Sequence, residues 1–420
     1  MSCPFEELKK RGFIYQNTAE DAIKKLLAEG KVYYYVGFDP TGDSLHVGHL
    51  LPVMAMRILQ KAGHTPIVMV GGATGQIGDP SGKSEARVLL SKEKVAYNAE
   101  CIRKQLANFI DEKDAIFVNN AEWFNNMLYI DFLRDIGSKF SVNKMLSAES
   151  VKMRLETGLS FIEFNYMILQ AYDFLMLNKK YGCRLQMGGQ DQWGNITAGT
   201  ELVRRVADQE VHGITMPLLM NSNGQKFGKS VGGAVWLDKN KTSIFDYYQF
   251  WRNTSDEDVA RLMCYFTGLP VEEIRDIAGK NVNRAKEILA YEATALAHGE
   301  EEAAKAFTAA GAKFGFADKD NTIFTSSKIA SIDCGKAMLD ELPTSTVTVP
   351  EEGIWFVKLL VECGLCKSNG EARRLIQGGG AYFGETRVTD LDFTPKAADF
   401  PEGSMIVKAG KKNVRRVILG

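Results

Sequence analysis

Two rhythms of apolar residues alternate along the first half of the chain. Short β-branched and aromatic runs at 31–36, 65–70, 115–119, 184–187 and 214–220 read as strands. Longer stretches at 5–29, 49–61, 92–111, 123–147, 161–178 and 196–206 carry apolar residues three and four apart and read as helices. This alternation predicts a parallel sheet with helical crossovers. From 244 to 310 the helical rhythm continues without strands, and 314–350 is irregular. The end of the chain mixes both patterns, with helices at 355–362 and 369–377, a hairpin start at 381–388 and a basic hairpin at 405–419. The expected division is an α/β domain over 1–230, a helical domain over 231–320, a linker over 321–350 and a small α+β module over 351–420.

The polar residues that interrupt this pattern fall at strand ends. Asp39-Pro40-Thr41-Gly42-Asp43-Ser44 leaves the first strand as a loop, and His46-Val47-Gly48-His49 opens the next helix. Backbone N–H groups and the helix dipole at that point favour a bound anion. Gly48 lets a flat ligand approach the backbone. A metal reading is poor, because His-x-x-His lacks the glutamate of the zinc-protease helix and no Cys or His cluster adds ligands. Far downstream, Lys226-Phe227-Gly228-Lys229-Ser230 sits in a Gly- and Asn-rich loop, where two lysines can reach one polyphosphate when the loop closes. The glycine-rich loop 71–84 ends in Gly82-Lys83-Ser84 and invites a P-loop reading, but that motif needs glycine where Ile77 stands. On the apolar helix 161–178, Tyr166, Gln170 and Asp173 share one face. A buried carboxylate there needs partners, from an internal network or from a ligand.

The pairing of His-Val-Gly-His near the start of a βαβ unit with a distant Lys-Phe-Gly-Lys-Ser resembles the two signatures of class I aminoacyl-tRNA synthetases. Between them lie Gly37-Phe38-Asp39-Pro40-Thr41, Gly78-Asp79-Pro80-Ser81-Gly82-Lys83, Leu169-Gln170-Ala171-Tyr172-Asp173 and Gly188-Gly189-Gln190-Asp191-Gln192-Trp193-Gly194-Asn195. In that order the motifs resemble the bacterial tyrosyl-tRNA synthetases over essentially the whole chain. The resemblance implies a Rossmann-like parallel-sheet nucleotide-binding domain, a helical anticodon-binding domain and a C-terminal α+β RNA-binding module. It also implies a homodimer, in which 123–147 supplies the subunit contact.

The implied partners are L-tyrosine, ATP with Mg2+ and tRNA(Tyr), with no structural metal. Tyr35 and Asp173 are implied to meet the phenolic hydroxyl, and Tyr166, Gln170 and Asp79 the α-amino group. Gln192 is a further tyrosine contact. Gly37, Asp39, Gly48, Gly189, Asp191 and Lys229 are implied on ATP. Thr41, His46, His49, Lys83, Arg87, Lys226 and Lys229 are implied to stabilise charge building on the phosphates. Arg373, Arg374, Lys411, Lys412, Arg415 and Arg416 are implied on RNA. Val36 stands where a small polar residue can touch the ribose, and Pro52 where a hydroxyl residue is common. Three alternatives remain open on sequence alone: an RNA-binding chain that has lost catalysis, a P-loop phosphotransferase, and the tryptophan enzyme. Asp173 facing Tyr35 favours a phenol over an indole.

Charge and cysteine content change this picture little. Lys plus Arg number 51 and Asp plus Glu 52, so any RNA contact must come from local clusters. Over 351–420, eleven basic residues face nine acidic ones. Seven scattered cysteines, a charged start and no long apolar span predict a reducing cytoplasm and no membrane insertion. Cys363-Gly364-Leu365-Cys366 lacks the second pair that a zinc site needs.

Overall fold

The structure is a computed structural model that describes residues 3–81, 90–222, 224, 227–230, 233–334, 343–410 and 413–420, with the backbone alone at 157, 229, 230 and 402. The chain divides into two compact units. One holds Met1–Ala303 with Thr325–Ser327, the other Ala304–Phe324 with Lys328–Gly420.

In the first unit, six described strands form one sheet: β1 (Gln16–Asn17), β2 (Tyr33–Phe38), β3 (Thr65–Val70), β4 (Ile116–Asn119), β5 (Cys183–Gly189) and β6 (His212–Met216). Their spatial order is β1-β6-β5-β2-β3-β4, parallel throughout except for β1 against β6. All six residues of β3 are buried, as expected for an inner strand of a parallel sheet covered by helices. The crossovers use helices Leu50–Lys61, Lys92–Ala107 and Trp193–Ala207. Helix Phe161–Tyr181 precedes β5 and carries the polar stripe. Ser160 and Glu163 cap its start reciprocally, and Gly182 in the left-handed region, φ 68°, ends it. A buried Arg154–Glu163 ion pair at 2.9 Å fixes the same end, and Arg154 also donates to the Gly158 carbonyl at 3.0 Å.

Several expected elements change shape. The 5–29 helix is two helices, Pro4–Lys10 and Glu20–Ala28, because Gly12 takes φ 85° and the chain then enters β1. The 123–147 helix is broken into Ala121–Phe124, Tyr129–Asp135 and Val142–Leu146, with Glu149–Thr157 following. Asn125-Asn126, Gly137 and Ser141 interrupt it where helix propensity is low. The last strand stops at Met216 and not at 220, since Pro217 has no N–H to donate. Beyond the sheet, Ile244–Arg252, Asp256–Phe266, Val271–Lys280 and Val282–His298 are helical, packed around the fully buried Trp251, Tyr247 and Tyr248.

The second unit holds a sheet of β9 (Thr344–Val347), β10 (Ala381–Phe383), β11 (Thr386–Val388), β12 (Ser404–Ala409) and β13 (Asn413–Leu419), in the order β11-β10-β12-β13-β9. Helices Phe356–Glu362 and Asn369–Gln377 cover it, and Phe356, Leu360, Phe383, Val407 and Val417 form its core. Cys363 and Cys366 are buried members of that core. The expected linker is corrected at its end: β9 lies inside 321–350, yet it pairs in parallel with β13 from Thr344 opposite Arg416 to Val347 opposite Leu419.

Candidate active site

Strand order reverses between β2 and β5, so the loops leaving their carboxyl ends diverge and open a crevice. A cavity of about 450 Å³ occupies it, lined by Tyr35 to Asp39, by His46, Gly48 and His49, by the polar stripe of helix Phe161–Tyr181, by Gly188, Gly189, Asp191 and Gln192, and by Trp236. At its inner end stand Tyr35 and Asp173, both without solvent exposure. The Tyr35 ring packs edge-on against Phe174 at 5.3 Å, and its hydroxyl has no hydrogen-bond partner among the described residues. Asp173 accepts from Trp123 Nε1 at 2.8 Å and from Asn120 Nδ2 at 3.1 Å. Burial pushes its carboxyl well above the usual carboxylate range, against the pull of those two donors.

Two chains of hydrogen bonds tie the polar side chains of the crevice together, and the first starts at Asn120, a donor to Asp173. In the first, Asn120 donates to Thr74 Oγ1 at 2.9 Å, and Thr74 donates to Asp39 Oδ1 at 2.7 Å. Tyr166 donates to the other oxygen of Asp39, also at 2.7 Å. In the second, Asn195 Nδ2 donates to Gln170 Oε1 at 3.2 Å and to Gln192 Oε1 at 3.1 Å. Gln192 in turn donates to Asp79 at 2.5 Å, and the Ser81 N–H donates to the other Asp79 oxygen at 2.9 Å. Tyr166, Gln170, Asp79 and Gln192 are therefore held in fixed orientations along one cavity. Such networks orient their members better than isolated side chains do.

The His46–His49 turn is a short 3-10 turn before helix Leu50–Lys61. His46 Nδ1 accepts from the Gly48 N–H at 3.0 Å, and His49 Nδ1 accepts from the His46 N–H at 3.1 Å. In the neutral rings this makes Nε2 the protonated nitrogen and the donor. Gly48 lines the cavity, but its closest neighbour is the His46 ring. A Cβ there would lie 2.8 Å from His46 Cε1, so the glycine makes room for the imidazole as well as for a ligand. A ribbon ties this turn to the downstream lysine motif. Strand β7 (Lys229–Ser230) pairs with β8 (Gly233–Ala234), and the Val235 N–H donates to the Gly228 carbonyl at 2.9 Å. Val47 N–H donates to the Val235 carbonyl at 3.0 Å, and Leu237 N–H to the Leu45 carbonyl at 2.9 Å. Gly228 takes φ 91°, and a Cβ there would lie 2.6 Å from Val47 Cγ2.

Residues 27–315 match the family described as tRNA synthetases class I (W and Y), and 335–417 match the tyrosine–tRNA ligase SYY-like C-terminal domain. The tyrosine–tRNA ligase of Clostridium tetani is 49% identical over 420 residues, which span 99% of this chain and 98% of that protein. That of Desulfatibacillum aliphaticivorans is 50% identical over 422 residues, again 99% and 98%. The chain belongs to the tyrosine–tRNA ligase family. It is an aminoacyl-tRNA synthetase that forms tyrosyl-tRNA. Among solved structures it is similar to the C-terminally truncated mitochondrial tyrosyl-tRNA synthetase of Aspergillus nidulans, at TM-score 0.66 and 32% identity over 73% of this chain and 93% of that one.

For this ligase, the crevice gathers Tyr35, Gly37, Asp39, Thr41, His46, Gly48, His49, Asp79, Tyr166, Gln170, Asp173, Gly189, Asp191 and Gln192, all expected from the sequence. Val36 and Pro52 line it as well. Lys83, Arg87, Lys226, Lys411 and Lys412 lie outside the described residues, as does the Gly82-Lys83-Ser84 end of the glycine-rich loop. Lys229 is placed by its backbone alone. Asn120, Trp123, Thr74 and Asn195 were missed. Asn120 follows β4, at a strand's carboxyl end, which is the signal that would have found it. In the second unit, Arg374 is exposed, while Arg373 lies over the Trp355 ring at 5.1 Å. Arg415 and Arg416 do not share a face. They are successive residues of β13, and Arg415 turns towards Ser345 Oγ at 3.4 Å.

Proposed function

We propose that the crevice binds L-tyrosine with its hydroxyl between Tyr35 and Asp173 and its α-amino group among Tyr166, Gln170 and Asp79, with Gln192 beside it. The observation that carries this reading is the pair at the inner end: a buried Tyr35 hydroxyl with no hydrogen-bond partner among the described residues, and a buried carboxylate held by two donors. A phenol answers both groups. Phenylalanine brings no hydroxyl to either, so the buried Tyr35 hydroxyl stays unsatisfied, at about 1–3 kcal/mol, and Asp173 gains no donor beyond Trp123 and Asn120.

ATP then lies across the ends of β2 and β5, on Gly37, Asp39, Gly48, Gly189 and Asp191. Tyrosine's carboxylate is already a nucleophile, so the site needs only in-line placement and stabilisation of charge developing on the phosphates. Nε2 donors of His46 and His49, Thr41 and the lysines and arginine at 83, 87, 226 and 229 are assigned to that task. Mg2+ accompanies ATP and supplies charge neutralisation on the phosphates.

The helices of 231–320 are assigned to the anticodon, and the second unit to tRNA(Tyr) through Arg373, Arg374, Lys411, Lys412, Arg415 and Arg416. The protein acts as a homodimer, in a reducing cytoplasm that suits its seven scattered cysteines. ATP–pyrophosphate exchange measured with each standard amino acid tests the reading. Exchange with tyrosine alone is expected; equal exchange with phenylalanine or tryptophan would sink the assignment of Tyr35 and Asp173.

A further inference from the structure

Asn195 is not among the residues that line the crevice, yet it holds two that are. It lies in the first turn of helix Trp193–Ala207 and is buried. Its Nδ2 donates to Gln170 Oε1 at 3.2 Å and to Gln192 Oε1 at 3.1 Å. Gln192 ends the short turn after β5 and Gln170 belongs to helix Phe161–Tyr181, so one amide ties two elements together behind the cavity wall. The direction of these bonds is set at their far end. The Asp79 carboxylate offers acceptors and no donor, so Gln192 turns Nε2 towards it. The other Asp79 oxygen is taken by the Ser81 N–H at 2.9 Å, which fixes the carboxylate itself. Gln192 Oε1 is thereby left facing Asn195, which answers with Nδ2, and Nδ2 in turn calls for an oxygen on Gln170. A carboxamide exchanges donor for acceptor when it turns over, and its last torsion has two broad wells. Among the described residues the Gln170 side chain has no other hydrogen bond, so Asn195 decides which way its amide faces.

We propose that Asn195 is a positioning residue for recognition of the tyrosine α-amino group: it passes the direction set by Asp79 on to Gln170, so that Gln170 Oε1 stands ready as an acceptor before the amino acid arrives. The proposal rests on the reading above that Gln170 and Asp79 meet the α-amino group. An ammonium only donates. Gln170 Oε1 has a second lone pair for it beyond the one that Asn195 uses, whereas a Gln170 turned over would meet the ammonium with Nε2 and repel it. Fixing the amide in advance relieves the ligand of ordering it. Asn195 touches no reacting atom, so its effect falls on affinity for tyrosine and not on the chemical step.

The test uses full-length protein and equilibrium binding of two ligands, tyrosine and 3-(4-hydroxyphenyl)propanoate, which lacks the amino group. Single-turnover formation of tyrosyl-adenylate at saturating tyrosine is measured beside them. Asn195→Ala is expected to weaken tyrosine binding about 2- to 10-fold, the scale on which a ligand that must order an unfixed side chain loses affinity. Affinity for the propanoate and the rate at saturation each stay within about twofold. A Gln170→Glu background separates orientation from packing. A carboxylate presents an acceptor whichever way it turns, so there Asn195→Ala weakens tyrosine little. In a Gln170→Ala background, Asn195→Ala adds no further loss, as befits a residue that acts through Gln170.

Four results would overturn the proposal: unchanged tyrosine affinity in Asn195→Ala, an equal fall for the propanoate, an undiminished loss in the Gln170→Glu background, or additive losses with Gln170→Ala. Should Asn195→Ala not fold, Asn195→Ser, whose shorter hydroxyl cannot serve both oxygens, is compared on the same two ligands, and equal falls or none would refute the role. Unchanged tyrosine affinity in Gln170→Ala removes the reading of Gln170 itself. Weak binding in Gln170→Ala beside normal binding in Asn195→Ala removes only the positioning role.

Discussion

Trp123 donates its indole N–H to Asp173 at 2.8 Å, inside a site where that carboxylate has no solvent contact. Burial raises the Asp173 pKa, and the Trp123 and Asn120 donors lower it. Trp123→Phe removes one donor to a charged group, worth about 1.5–3 kcal/mol, or about one to two pH units. The folded-state pKa then rises further and the ionised fraction at a given pH falls. The acid limb of kcat/KM for tyrosine should therefore move to higher pH, with the alkaline limb unchanged. A pH profile that coincides with that of the unmodified protein would show that Trp123 does not tune Asp173.

Gly48 gives a sharp test of the His46 geometry. A Cβ at position 48 would lie 2.8 Å from His46 Cε1 and 3.0 Å from Nδ1, so the ring must leave the Gly48 N–H. Gly48→Ala should slow adenylate formation by up to about 100-fold, as a misplaced donor would. Tyrosine affinity, set at the other end of the cavity, should hardly move. Stopped-flow measurement of both quantities separates this from a general loss of folding.

The position of β9 decides where the chain can be cut. A protein ending at Val349 would carry Thr344–Val347 with its partner strand β13 missing, whereas one ending at Cys334 would not. The shorter protein should keep tyrosine-dependent pyrophosphate exchange and lose most tRNA charging, because Lys and Arg contacts to phosphate supply much RNA affinity. Charging by the full chain should fall steeply with salt, while exchange changes little. Equal charging by both proteins at moderate salt would remove the RNA-binding role of the second unit.

The broken helical stretch after β4 and the start of helix Phe161–Tyr181 leave large apolar side chains in solvent. Leu128, Ile130, Val142 and Phe161 are 68, 69, 58 and 70% exposed. Apolar exposure concentrated in this way marks a protein contact. The full-length protein should sediment as a dimer, and Ile130→Asp with Phe161→Asp should shift it to monomer. A monomeric unmodified protein at micromolar concentration would refute the contact.

Much of the sheet was legible because β2, β3 and β4 are continuous apolar runs, which parallel strands buried on both faces require. The site was legible where polar residues stand at strand ends or recur along the Phe161–Tyr181 helix. Asn120 stands at such an end too, but an Asn there also reads as an ordinary turn residue, and only its bonds to Asp173 and Thr74 tell the two apart. Trp123 was not legible, because an indole in an apolar stretch looks like core. β9 reads Thr-Ser-Thr-Val and takes its place through backbone pairing with β13, which no local pattern announces. The breaks within 123–147 sit at weak helix formers whose effect depends on neighbours that sequence spacing does not supply.

The short β1 constrains how the chain is made as well as how it ends up. Gln16 pairs with Thr215 and Asn17 with Ile214, so a segment synthesised among the first twenty residues waits for one about two hundred residues later. During N-to-C synthesis the edge of β6 does not yet exist when β1 emerges, and the early helices on either side of it must form without that anchor. Contacts of such sequence separation form late and slow the search. The tyrosine end of the crevice, built between β2 and β5, can therefore assemble around Tyr35 and Asp173 before the far edge of the sheet is closed by the pairing of β1 with β6.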